Sequence, residues 1–205
     1  VAGVPADRVA AQAFSAFSDA TVVTVPKGVE VEEPVWITVT GPGTGATAYG
    51  HLQLRAEELS RATIVIDVRG SGTYADNVEF VVGNGAQLTV AWIADAASDL
   101  VHVTMHHAAL GKDAVLRHTA VQLGGELVRL TGRVRFDGPG GDAEMLGQEQ
   151  DHLAAGARAA AFDEAQMLLR DLGFEREVEL AEAAELAPVA QEGADRRWLM
   201  CVHGT

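Results

Sequence analysis

Apolar and polar residues alternate in short runs from Thr21 to Leu146, and turn residues separate the runs. That is the period of strands, not helices. Thr21–Val25 is β-branched throughout and stops at Pro26-Lys27-Gly28. Val29–Val31 alternates and ends before Pro34, and Trp36–Thr40 closes at Gly41-Pro42-Gly43. The pattern predicts further strands at Leu52–Arg55, Ala62–Val68, Val78–Val82, Ala86–Ile93, Leu100–His106, Ala114–Val121, Leu127–Phe136 and Ala143–Leu146. Ahead of them, Val9, Phe14 and Phe17 sit at helical spacing behind Pro5 and a capping Asp7, so a short helix is predicted there. After Gly147 the period changes. Phe162, Ala165, Leu168, Leu169 and Leu172 form one stripe of a predicted helix ended by Gly173, and a second stretch runs from Glu175 to Leu186.

A repeat lies within the strand pattern. Gly83-Asn84-Gly85-Ala86-Gln87-Leu88 recurs 28 residues on as Gly111-Lys112-Asp113-Ala114-Val115-Leu116. It recurs loosely 29 residues later as Gly140-Gly141-Asp142-Ala143-Glu144-Met145. Weaker echoes begin at Pro26 and Leu59. Strand starts at a near-fixed period mark a stacked β architecture, in which each unit buries its apolar side against its neighbours. An antiparallel sandwich also spaces short strands regularly and is the competing expectation.

Charge narrows the function classes. Lys and Arg total 15 against 29 Asp and Glu, a formal charge of −14 in 205 residues. A binder of nucleic acid or anionic membrane needs a basic face, and the sequence offers none. Cys201 is the single cysteine, so no disulfide forms within the chain, which fits a reducing compartment and a cytoplasmic location. No apolar run reaches the roughly 18 residues of a membrane helix, and no signal peptide is read at the start. The chain opens on Val1, not Met, and its strand pattern breaks after Gly147. These two features raise the expectation of a fragment or of a truncated, frameshifted or recombined product.

Candidate chemistry is sparse. His102, His106, His107 and His118 fall within 17 residues. On one strand, however, His102 and His106 stand about 13 Å apart, too far to share an ion. They are expected on a polar outward face alternating with Val101, Val103 and Met105. Asp95, Asp99, Glu57, Glu58, Glu32 and Glu33 could supply a carboxylate pair for glycoside chemistry, but they fall in separate loops. Gly70-Ser71-Gly72 and Gly124-Gly125 read as turns, because no helix start follows them. At the other end, Cys201-Val202-His203-Gly204-Thr205 places a thiol two residues from an imidazole. That pair can bind iron or zinc, or carry sulfur. Cys201 and His203 are the weak metal candidates, and no catalytic residue is assigned.

Several segments together resemble the SufB/SufD scaffold family of the SUF iron–sulfur cluster assembly system, SufD more closely. They are Val25-Pro26-Lys27-Gly28-Val29-Glu30-Val31-Glu32-Glu33-Pro34, Val78 to Leu88, His106 to His118, Gly124 to Arg129, and Gly138 through Gly147. The resemblance covers about 14–147. It implies a right-handed parallel β-helix and a non-enzymatic scaffold role. It also implies pairing with a SufB-like subunit through β-helix edges, and binding of a SufC-like ATPase through a later helical region. The cluster would be built on the assembled complex from iron and from sulfur delivered by a cysteine desulfurase, with no cofactor held by this chain alone. The family carries a Cys-x-His-Gly-Ala-Thr segment near the subunit interface, its histidine implicated in cluster assembly. Residues Cys201 to Thr205 are similar to it but one residue short.

The expected fold is therefore mainly β: a parallel β-helix over 20–147, an N-terminal helical segment over 1–19 and a divergent helical tail over 148–205. The stripe Phe162, Leu168, Leu169 and Leu172 is expected to cap the solenoid's open end. A β-helix carbohydrate lyase or hydrolase, and a non-functional remnant, are the competing functional readings.

Overall fold

The computed structural model describes residues 2, 3, 5, 7–148 and 201–204. The helix expected to carry the capping stripe Phe162–Leu172, and the one expected from Glu175 to Leu186, lie outside the described residues.

Helix α1 spans Arg8–Ala16. Asp7 caps it as its spacing predicts, its carboxylate accepting from the Ala10 N–H at 2.8 Å. Of the expected apolar positions Val9 is exposed, while Phe14 and Phe17 are half-buried. Ala10 and Ala13 are fully buried, and their small side chains bring the helix backbone close to what lies beneath.

Eleven strands are described: β1 Thr21–Val25, β2 Val35–Thr40, β3 Thr47–Ala56, β4 Arg61–Arg69, β5 Thr73–Val82, β6 Gln87–Ala94, β7 Val101–Leu110, β8 Val115–Gln122, β9 Leu127–Phe136, β10 Asp142–Gln148 and β11 Cys201–Gly204. Odd-numbered strands form one sheet in the order β1-β3-β5-β7-β9-β11, and even-numbered strands form the other, β10-β8-β6-β4-β2. Every strand pair is parallel. Successive strands alternate between sheets, so each coil adds one strand to each. This is a parallel β-helix, and the sandwich reading is excluded.

The repeat has a backbone cause. Gly28, Leu59, Gly85, Asp113 and Gly140 all have φ between +54° and +72°, the left-handed conformation that favours glycine. They mark one corner of successive coils, where the chain leaves a strand of the odd sheet and enters the even one. The 28-residue offset holds where Gln87 pairs with Val115 and Leu88 with Leu116. The third copy is shifted by two residues: Ala143 pairs with Leu116, not with the position of Ala114. The Val29–Val31 strand reduces to a single bridge between Glu30 and Arg61. Gly70-Ser71-Gly72 and Gly124-Gly125 are the turns expected, between β4 and β5 and between β8 and β9.

Inside the coil, aligned apolar residues stack in rows. Leu54, Phe80, Ala108 and Val134 are register partners on four successive strands and are all buried. Burying each of the larger side chains contributes roughly 1.5–3 kcal/mol, so the stack is held coil against coil. Three strands run longer than their apolar pattern: β3 starts at Thr47, β5 at Thr73, and β7 continues to Leu110. Gly50, His51, Asp76, Asn77 and His107 lie in these extensions. Helix α1 packs over β3, β5 and β7. No helix among the described residues is long and apolar enough to cross a membrane.

Candidate functional site

Polar side chains gather in two places, on the two faces of the odd-numbered sheet. The inner cluster corrects the expectation of an outward histidine face. His102 and His106 belong to the same inward series as Ala108 and Leu110 on β7, and both are fully buried. His118 enters from β8 on the opposite sheet and is also buried. It is Val101 and Val103 that point outward and stay partly exposed, and Met105 is covered from outside.

Each inner histidine has one defined partner. His102 Nε2 donates to Asp76 Oδ1 at 3.0 Å, and the His102 ring lies 5.2 Å from Tyr74 and 5.7 Å from Trp92. His106 Nδ1 and His118 Nε2 lie 3.1 Å apart with rings near perpendicular. One of those two nitrogens carries the proton and the other accepts it. Burial, reinforced by neighbouring His118, His102 and His107, pushes the His106 pKa well below the usual 6.5. Burial also lowers that of His118, to about 4. Both rings are therefore neutral at pH 7. Burial, then the Asp76 carboxylate, holds the Tyr74 phenol well above its usual range. Glycine makes the space: a Cβ on Gly50 would stand 1.9 Å from the Tyr74 hydroxyl, and one on Gly132 2.8 Å from the Met145 methyl.

The outer cluster centres on Glu79 of β5, which is 1% exposed. Its Oε2 accepts from Gln53 Nε2 at 2.7 Å and from the Ala2 N–H at 3.2 Å, while Oε1 stands 3.8 Å from His51 Nε2. Strand register sets His107 directly beside Glu79 and Arg133 beside His107. Burial lowers the His107 pKa, with Glu79 opposing. Phe17 stacks on the His51 ring at 4.8 Å and Phe14 meets it edge-on at 5.4 Å.

No group of three His, Cys, Asp or Glu side chains among the described residues is arranged to hold a metal ion. The loop carboxylates do not converge. Glu57 and Glu58 follow β3 and engage Lys27, Asp99 follows β6 and accepts from the Thr44 hydroxyl, and Glu32 and Glu33 precede β2. The Cys201 and His203 backbones belong to β11, in register with Thr131 and Arg133 of β9. The apolar pattern of the sequence does not single out His51 or Asp76. Glu79 does carry a signal, a carboxylate inside the apolar run Val78–Val82.

Residues 38–154 match the family model for the SUF system FeS cluster assembly SufBD core domain. An iron–sulfur cluster assembly SufBD family protein of Mycobacterium bovis is 67% identical over 145 residues, which is 71% of this chain and 36% of the relative. Counterparts in Mycobacterium tuberculosis H37Rv and Mycobacterium leprae are 66% and 63% identical over the same length. The chain thus spans little more than a third of the length of these curated relatives. No solved structure matches it.

Proposed function

The chain belongs to the SufBD family of the SUF iron–sulfur cluster assembly system, and from that membership we propose that it is a non-catalytic scaffold subunit of the SufD type. The observation that carries this reading is where the family match falls. It begins inside β2 and takes in β3 to β10, most of the stack of coils. A stack of this kind presents rigid faces and open strand edges. Among the described residues, β1 and β2 are the terminal strands of the two sheets at one end of the stack. Strand edges offer backbone donors and acceptors to a second β protein.

The proposed partners are a SufB-like subunit, met through strand edges, and a SufC-like ATPase, met through the region that follows the coils. The iron–sulfur cluster is cargo of the assembled complex. Cys201 and His203, carried by the last described strand of the odd-numbered sheet, are the residues proposed to contribute to cluster chemistry. The proposed division is an N-terminal helical segment over 1–19, the β-helix over 20–147 and a tail over 148–205, whose strand Cys201–Gly204 pairs with β9, in a cytoplasmic protein.

Affinity capture tests the proposal. The tagged full chain, expressed in its native cell, is expected to retain both a SufB-like and a SufC-like protein. Recovery of neither contradicts the scaffold role.

A further inference from the structure

The outer face of the odd-numbered sheet is covered by the chain's own N-terminal residues. Five polar contacts fasten them to three strands, β3, β5 and β9. The Ala2 N–H donates to Glu79 at 3.2 Å, and Arg135 donates to the Ala2 carbonyl at 3.0 Å. Arg129 pairs with Asp7 at 2.8 Å. Asn77 donates to the Ala10 carbonyl at 3.0 Å, and Gln12 to the Tyr49 hydroxyl at 2.9 Å. Gly3 lies against His107 so closely that a Cβ there would stand 2.5 Å from Nδ1.

Two observations set this cover apart from the stack it sits on. First, the hydrophobic core cluster begins at Val25 and takes no residue from the cover. The interior of the coils therefore packs without it. Second, the polar groups beneath are incompletely satisfied. His51 Nδ1, Asn77 Oδ1, His107 Nε2 and Arg129 Nε are all buried without a hydrogen-bond partner. Buried polar atoms left unpaired weaken the interface that buries them, and lifting the cover returns them to water.

We infer that α1, with Asp7 and the Ala2-Gly3 pair, is a detachable strap that opens and closes over the row Gln53–Glu79–His107–Arg133 while the β-helix beneath stays folded. Opening is a local event, of the low-stability kind found where few core contacts hold a segment. It bares a buried carboxylate flanked by two imidazoles. The row it uncovers continues by backbone register to position 203 of β11.

Carbethoxylation of histidines in the full chain by diethylpyrocarbonate, mapped by peptide mass spectrometry at one fixed pH, tests the strap. Gly3→Ala presses on His107, and Asp7→Ala removes both the helix cap and the Arg129 pair. Each is expected to raise the modification rate of His51 and His107 by about tenfold, the scale of losing one charge-assisted hydrogen bond. His102, His106 and His118 should keep their wild-type protection, and the thermal midpoint of the coils should hardly move. The inference is overturned if neither variant changes the rates. It is equally overturned if either exposes the three inner histidines along with the outer two, since the cover would then be part of the cooperative fold.

Discussion

His106 and His118 face each other across the inside of the coil, Nδ1 to Nε2 at 3.1 Å, one from each sheet. Their pairing joins the two sheets through a single neutral hydrogen bond within an aliphatic core. His106 Nε2 and His118 Nδ1 have no partner, so the pair is half-satisfied, and the core depends on its one bond remaining made.

Replacing one member alone is therefore worse than replacing both. His118→Ala opens a cavity and strands His106 Nδ1, and should destabilise the fold by about 2–4 kcal/mol. The double variant His106→Leu with His118→Leu removes both polar rings and should stay within about 1 kcal/mol of wild type. Urea denaturation followed by circular dichroism gives both values. A double variant less stable than His118→Ala would contradict this view of the pair.

The same pair makes stability depend on pH. In the unfolded chain each imidazole titrates near the usual 6.5. In the fold His118 titrates at about 4 and His106 well below 6.5. Between those limits the unfolded state binds more protons than the native state, so stability falls as pH falls. The contribution of neutral burial is complete above about pH 6.5 and is lost towards about pH 4, at up to about 1.4 kcal/mol per pH unit per group. Urea midpoints at pH 7.5, 6.0 and 5.0 should decline, and the decline should be shallower in the double leucine variant. Equal slopes in the two proteins would show that these histidines are not its source.

Glycine inside the coil and glycine at its corners should respond differently to alanine. Gly50→Ala drives a methyl to within 1.9 Å of the Tyr74 hydroxyl. Such overpacking costs about 1–3 kcal/mol, and adding Tyr74→Phe should recover part of it. At Gly28 nothing lies within 4 Å of an added Cβ, and only the positive φ of +70° resists it. Gly28→Ala should then cost about 1 kcal/mol. Thermal melts of the three variants check the order, and rescue by Tyr74→Phe separates packing from backbone strain.

The stack was legible because its corners repeat. Glycines at one left-handed position in three of five coils printed the period, although Leu59 and Asp113 at the same station blurred it. The direction in which β7 points its side chains was not legible. Both of its faces are buried, the inner by the core and the outer by the strap, so apolar alternation carries no phase. With Met105 and Ala109 buried on one side and Ala108 and Leu110 on the other, polarity alone put the histidines on the wrong face. The outer cluster was hidden for a related reason. His51 and Asn77 interrupt the apolar runs of β3 and β5, as Gly50 and Asp76 do on the inner side, so apolar alternation places the strand starts after them. Nothing local in the sequence foretells that residues near Ala2 lie over Glu79, 77 positions away.

Sedimentation velocity of the purified full chain mixed with a purified SufB-like subunit tests the scaffold reading most directly. The account predicts a single heterodimeric boundary that takes up a SufC-like ATPase when it is added. Two independent boundaries at micromolar concentrations of both proteins would contradict it.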